Sequence, residues 1–208
     1  MESSPGRGRG RPPGVSERVR RDVHEAVRKI LIASGYAALR MDDVAAIAGV
    51  HKSTLYRQWP SKAALVRDVL NAGAARSYPR PDEGSWPADI DALCRDLVRL
   101  FRSPTTIAFV RTRAIADDPE LIEELRDLGA LEMRFVREPF ERAIARGEID
   151  PGLSVEMLME LVISPFLARV AITRLPVDEA FGRSVAATMR RLGRRSAPID
   201  ILCHILYK

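Results

Sequence analysis

Residues 40–62, RMDDVAAIAGVHKSTLYRQWPSK, bring together the side chains of this chain best suited to recognising another molecule. Arginine forms paired hydrogen bonds with guanine, and the methyl group of threonine contacts thymine, so Thr54 and Arg57 could read bases. Lysine and tyrosine bond to phosphates, which sets the register on a duplex without reading its sequence. We therefore expect Lys52, Tyr56 and Lys62 to contact phosphates.

The full set of contact residues that we predict in this segment is polar or basic, and most of it falls in one short helix. It comprises Arg40, His51, Lys52, Ser53, Thr54, Tyr56, Arg57 and Lys62.

Two short helices joined by a glycine turn must position these side chains. Asp42 and Asp43 fall in the first turn of the first helix, where acidic groups favour the positive end of the helix dipole. Gly49 can adopt the positive φ that the turn needs, and Leu55 and Trp59, four residues apart, face inward. This pattern predicts a helix-turn-helix, whose second helix enters the DNA major groove. Two amphipathic helices with a solvated face are the alternative.

Positive charge is concentrated at the N-terminal end of the chain. Residues 1–70 hold 13 Lys and Arg against 7 Asp and Glu, whereas the rest holds 20 against 21. This asymmetry predicts a polyanionic partner for the N-terminal third. Within it, PGRGRGRPP resembles an AT-hook core, and Arg7, Arg9 and Arg11 could enter a narrow A·T minor groove. A disordered, solubilising arm is the alternative.

Apolar residues recur at helical spacing along most of the chain, and no convincing strand alternation is present. We therefore predict an all-α fold with four parts. Residues 1–15 form a disordered Arg/Gly-rich arm, 16–75 a three-helix helix-turn-helix domain, 76–195 a larger helical domain, and 196–208 an apolar tail of unassigned role. Pro165 should kink the helix that contains it.

Several functional classes find no support in the sequence. No apolar run approaches the roughly 18 residues of a membrane span, and the N-terminus lacks a secretory signal, so we expect a cytoplasmic protein without membrane contact. Cys94 and Cys203 are far apart and favour free thiols. No nucleophile elbow, phosphate loop or metal-ligand spacing is present, so we expect no cofactor and no metal. A small helical enzyme is the least favoured alternative.

The segment from Asp42 to Val66, DDVAAIAGVHKSTLYRQWPSKAALV, strongly resembles the TetR family of transcriptional regulators. It has that family's AGV turn, its TLYRxWPSK recognition segment and the ALV that follows. The resemblance implies a homodimer that binds a palindromic, double-stranded operator and whose C-terminal domains bind a small-molecule effector. A repressor released by its ligand is the leading interpretation. An architectural DNA-binding protein that uses the Arg-rich arm is the alternative.

Two residues depart from the family pattern. Arg40 stands where the family usually has Thr, and its side chain cannot accept an N-cap hydrogen bond. It could instead reach a phosphate. His51 stands where Ser or Thr is commoner, and it could touch a base or a phosphate or only begin the helix.

The C-terminal domain offers candidates for dimer contacts and for an effector pocket. The predicted dimer residues are Leu158, Leu161, Val162, Phe166, Val170, Val185 and Met189, with burial inside one subunit as the alternative. The predicted pocket residues are Leu97, Phe101, Phe109, Met133, Phe135, Phe140 and Met157, most of which could equally be ordinary core. Arg111, Arg113 and Arg169 could pair with an anionic ligand or with nearby acids.

Overall fold

The structure is a computed structural model that describes residues 16–77, 81–114 and 117–192. Nine α-helices and one π-helical segment lie in these ranges, and no strand does, which confirms the all-α prediction. The helices are α1 (Glu17–Ala38), α2 (Met41–Ala48), α3 (Lys52–Gln58), α4 (Lys62–Ser77), α5 (Trp86–Arg102), α6 (Pro104–Ala114), α7 (Pro119–Ala145), α8 (Val155–Leu167) and α9 (Glu179–Leu192). The π-helical segment, Ala168–Thr173, directly follows α8.

The predicted arm and the predicted apolar tail, together with Arg7, Arg9 and Arg11, lie outside the described residues. The rest of the chain divides into two compact units after Val66, inside α4, whereas the sequence analysis placed the boundary after residue 75. Near that expected boundary, α4 continues to Ser77, and α5 begins at Trp86.

The N-terminal unit is built on one apolar face of α1. Val23, Val27 and Leu31 recur every four residues and are buried. At the start of α1, the hydroxyl of Ser16 caps the helix by accepting a hydrogen bond from the backbone N–H of Val19 at 3.3 Å. Near its end, Gly35 (φ 74°) interrupts the helical conformation, and the helix resumes and reaches Ala38.

The core of the C-terminal unit is rich in aromatic side chains. Phe166 packs against Phe101 with ring centroids 5.5 Å apart and against Phe181 at 5.0 Å, and Trp86 packs against Phe140 at 5.2 Å. Helices α5 and α9 approach closely where α9 has a glycine: a Cβ on Gly182 would lie 2.6 Å from a methyl carbon of Val98. This crossing therefore requires a residue without a side chain.

Cys94 lies in the same core, and its burial raises the pKa of its thiol to about 12. The thiol is therefore protonated and uncharged at neutral pH.

This core contains most of the side chains that we predicted for the dimer contact. Six of the seven side chains are at most 8% exposed because they pack inside their own chain, which is the alternative of burial within one subunit: Leu158, Val162, Phe166, Val170, Val185 and Met189. The seventh, Leu161, is 37% exposed. The periodicity identified the apolar side of α8 and α9 correctly, but that side faces the core.

An ion pair between a buried carboxylate and a partly exposed arginine joins the start of α5 to the end of α7. Asp89 is fully buried, and its carboxylate accepts hydrogen bonds from Arg146 at 2.8 Å and from the backbone N–H of Glu83 at 2.6 Å. Arg146 also donates to Glu148 at 3.0 Å, and Glu148 accepts from the backbone N–H of Trp86 at 2.7 Å. Hydrogen bonding to Asp89 raises the pKa of Arg146 above its usual value.

Beyond Pro165, the helix changes its hydrogen-bonding pattern. Proline lacks a backbone N–H; α8 ends at Leu167, and π-helical turns follow from Ala168 to Thr173. Arg174 then takes a left-handed conformation (φ 55°) and ends the helical run. Among the described helices, none combines the length and apolar character needed to cross a bilayer.

Candidate nucleic-acid interface

The turn between α2 and α3 has the geometry that the sequence predicted. Gly49 is left-handed (φ 65°, ψ 34°). The backbone N–H of Gly49 donates to the carbonyl of Ala46 at 3.3 Å, and that of Val50 donates to the carbonyl of Ala45 at 3.0 Å. These two bonds form a Schellman motif, which satisfies carbonyls at the end of α2. The turn therefore sets the direction in which α3 leaves α2.

Helix α3 is anchored through two apolar side chains. Leu55 is fully buried and Trp59 is 3% exposed, as the sequence predicted. The Trp59 ring lies 6.2 Å from the ring of His24 on α1. Because these side chains fix one face of α3 against the unit, the opposite face points to solvent. Its exposed residues are His51, Lys52, Ser53, Tyr56, Arg57 and Gln58, with Thr54 half-buried beside them.

The Arg57 side chain is one of the two on this helix that we predicted to read bases. It is exposed, and it makes no hydrogen bond or ion pair within the part of the chain that the structure describes. Its planar guanidinium therefore keeps its donors available for the paired bonds that guanine accepts. Thr54 lies one turn earlier, and its backbone N–H donates to the carbonyl of His51 at 3.0 Å.

Lys52 has an acidic partner that the sequence analysis did not anticipate. Its ammonium lies 2.6 Å from the carboxylate of Asp42 on α2, and this hydrogen bond raises the pKa of Lys52 above its usual value. Both side chains are more than half exposed. A phosphate must therefore compete with Asp42 for this ammonium or share it.

Lys62 also has a partner within the chain. Its ammonium donates to the carbonyl of Tyr36 at 3.1 Å and lies 3.9 Å from the centre of the Tyr36 ring. Tyr36 follows the break in α1 at Gly35, so a cation stabilises the carbonyl end of that helix. In addition to the phosphate contact that we predicted, Lys62 therefore also joins α4 to α1.

Arg40 precedes α2 and makes no side-chain capping bond, as its chemistry required. Its side chain is exposed, and its backbone carbonyl accepts from the N–H of Val44 at 3.2 Å. His51 likewise occupies the N-cap position of α3 without a side-chain bond to the helix.

At the start of α4, the hydroxyl of Ser61 caps the helix by accepting a hydrogen bond from the N–H of Ala64 at 3.1 Å.

The partner of Lys62 could not be read from local spacing. Tyr36 lies 26 positions before Lys62, so only the packing of α1 against α4 brings the two together. The ion pair between Asp42 and Lys52 could have been predicted, because an acidic group in the first turn of α2 is close in sequence to the basic start of α3.

The predicted effector-pocket residues do not form one cavity in the described part of the chain. Leu97 and Phe140 are fully buried in the core, and Phe109 is half-buried. Phe101 lines a groove that is described below. Met157, by contrast, is 54% exposed. The side chains of Met133 and Phe135 lie outside what the structure describes.

Comparison with known families matches both units of the chain. Residues 24–69 match the family described as "Bacterial regulatory proteins, tetR family". Residues 80–189 match the family described as "Tetracyclin repressor-like, C-terminal domain". The first range contains the helix-turn-helix, and the second contains the core of the C-terminal unit.

Individual proteins agree with this assignment. The "Uncharacterized HTH-type transcriptional regulator YdeS" of Bacillus subtilis (strain 168) is 30% identical over 179 residues, which cover 85% of this chain and 89% of that protein. The "DNA-binding transcriptional repressor TetR" of Mycobacteroides abscessus is 30% identical over 161 residues, which cover 76% and 84% of the two chains.

A solved structure, "TetR family transcription regulator SCO0332", is 30% identical, with a TM-score of 0.67 over 88% of this chain and 100% of that chain. The helix-turn-helix geometry, the two family matches and these relatives lead to one assignment. This chain belongs to the TetR family of helix-turn-helix transcriptional regulators.

Proposed function

We propose that this regulator is a ligand-responsive repressor that binds a palindromic operator as a homodimer. The observation that carries the proposal is the outward face of α3, where Arg57 is exposed and has no partner among the described residues. One of the relatives, the protein of Mycobacteroides abscessus, is a repressor, which supports repression and not activation.

Within each half-site, Thr54 and Arg57 read bases, whereas Arg40, Tyr56 and the two lysines contact phosphates. Phosphate contacts supply affinity that is independent of sequence, and base contacts supply discrimination. His51 and Ser53 lie at the start of α3, which is the end of a recognition helix that meets base edges.

Two-fold symmetry requires a surface on which two protomers meet, because a dimer must hold two recognition helices about 34–36 Å apart. Helix α8 carries three large apolar side chains that are exposed: Met157 is 54% exposed, Leu161 37% and Leu167 39%. We place the dimer contact on this exposed face of α8. Of the seven dimer residues predicted from the sequence, only Leu161 lies on it. The same patch on both protomers then forms the interface.

Release of the operator follows if a ligand binds the C-terminal unit more tightly in a conformation that does not fit DNA. A ligand can shift this equilibrium only by its difference in affinity for the two conformations.

The proposal is tested by selecting bound fragments from the source genome and measuring transcription from the selected promoters with and without the protein. A repressor lowers transcription from promoters whose protected sites are palindromic. Increased transcription would contradict repression, and coverage without sequence preference would contradict operator binding.

A further inference from the structure

A groove of about 420 Å³ lies in the C-terminal unit, where the end of α5, α6, the π-helical segment and the start of α9 meet. We call it the arginine groove, because four of its six charged residues are arginines. These six are Arg102, Arg111, Arg169, Arg174, Asp178 and Glu179. Its volume is within the range of sites that bind small organic molecules.

Both acids of the arginine groove already have partners. The carboxylate of Glu179 accepts a hydrogen bond from Arg102 at 2.7 Å. The carboxylate of Asp178 accepts one from the backbone N–H of Phe181 at 2.8 Å, so it caps the start of α9. Neither acid is paired with one of the other three arginines of the groove.

Those three arginines have no carboxylate partner within the described residues. Arg111 donates to the carbonyl of Val170 at 3.5 Å, which is a long hydrogen bond. Arg169 lies 3.7 Å from the centre of the Phe181 ring and donates to the carbonyl of Pro176. The side chain of Arg174 makes no hydrogen bond or ion pair in the part of the chain that is described. The groove therefore holds positive charge that its own acids do not neutralise.

The backbone on this side of the groove is unusual. Two groove residues, Arg169 and Val170, belong to the π-helical segment, and π-helical turns occur frequently at functional sites. Arg174, the next residue after it, is left-handed (φ 55°), a conformation that L residues other than Asn and Asp seldom adopt. Strained conformations of this kind also cluster at ligand sites.

The remaining lining of the groove is apolar and suits the body of an organic molecule. Phe101, Ile107, Val170, Leu175 and Val177 contribute to it, and Leu175 is 54% exposed. A ligand with one anionic group and an apolar body would satisfy both parts of the lining.

We propose that the arginine groove is a binding site for an organic anion, and that Arg111 and Arg174 bind the anionic group. We also propose that the effector of the regulator belongs to this class of anions, and this part rests on the proposed function. Binding of an organic anion in the arginine groove does not depend on it.

The test uses two fluorescent probes that share one aromatic body. Anilinonaphthalene sulfonate carries a sulfonate, and phenylnaphthylamine is the same molecule without it. The full chain is titrated with each probe in the absence of DNA, and the ratio of the two affinities is measured. Arg111→Gln and Arg174→Asn each remove one guanidinium; asparagine is chosen for position 174 because it tolerates the left-handed conformation.

We expect the wild-type protein to prefer the sulfonate, and each variant to lose about tenfold of that preference, since charge-assisted hydrogen bonds are the stronger class. Arg95→Gln is the matched control: it removes an equal charge from an exposed position of α5 outside the groove, and it should leave the ratio unchanged. Equal affinity of the wild-type protein for both probes would overturn the proposal, as would an equal loss in the control. Operator binding by the wild-type protein is measured separately without probe, so a failure there bears on the proposed function alone.

Discussion

The carboxylate of Asp42 lies 2.6 Å from the ammonium of Lys52, so an ion pair joins the two helices of the helix-turn-helix. Both groups are more than half exposed, at 62% for Lys52 and 56% for Asp42. The pair holds a lysine of the recognition face against the protein while the DNA is absent. Binding a phosphate then requires Lys52 to exchange this partner or to share it.

Asp42→Asn should strengthen DNA binding, because it releases Lys52 and removes a negative charge beside the phosphates. We expect the slope of log affinity against log salt concentration to become more negative by roughly one unit. Fluorescence anisotropy with a labelled operator at several salt concentrations measures both effects.

Asp43→Asn is the matched control, since it removes the same charge from the next residue of α2 without breaking the contact at 2.6 Å. An identical gain in this control would show that overall charge, and not the release of Lys52, explains the result.

Lys62→Met should reduce both stability and DNA binding, since methionine keeps the apolar stem but loses the bond to the Tyr36 carbonyl. The free energy of unfolding should fall by about 1 kcal/mol, and affinity should fall by a similar factor for all DNA sequences. Urea unfolding and anisotropy measure the two quantities.

Lys29→Met, at an exposed position of α1, is the control for removing a positive charge from the N-terminal unit. Unchanged stability in Lys62→Met would contradict the structural role of this lysine.

Leu161→Glu should dissociate the proposed dimer, because it places a charge on the exposed apolar face of α8. Sedimentation velocity should show the wild-type protein as a dimer and the variant as a monomer. Ile122→Glu changes a similarly exposed side chain on α7 (45%) and should remain dimeric. A dimeric Leu161→Glu protein would place the interface elsewhere.

Asp89→Ala should destabilise the C-terminal unit by about 2 kcal/mol, because it leaves the N–H of Glu83 without its acceptor and leaves Arg146 with Glu148 as its remaining carboxylate partner. Thermal and urea unfolding measure this loss. Asp96→Ala, which removes the partner of Arg99 in an exposed pair on the same helix, should cost less than about 1 kcal/mol. Equal losses of stability in the two variants would show that the burial of Asp89 does not increase its contribution to the free energy of unfolding.

The sequence predicted the helix-turn-helix well because its signals are local. Gly49 sets the turn, Leu55 and Trp59 set the buried face of α3, and Ser16 and Ser61 cap their helices. The exposed positions of the recognition face follow from these few constraints.

Long-range packing explains what the sequence analysis missed. A periodic apolar face identifies the buried side of a helix but not what covers it. Val162 and Met189, for example, suit a dimer contact and a core equally well, and the structure buries both. The contact between Lys62 and Tyr36 depends on helices that are distant in sequence, and the arginine groove combines residues of α5, α6, the segment after α8 and α9.

In our proposal, the outward face of α3 reads operator bases through Arg57. The direct measurement is the affinity of the wild-type protein and of Arg57→Ala for the selected operator and for operators with each base pair substituted in turn. We predict that Arg57→Ala loses about 1–3 kcal/mol of binding free energy and no longer discriminates at one position of each half-site. If the variant keeps both its affinity and its preference at every position, Arg57 does not read operator bases.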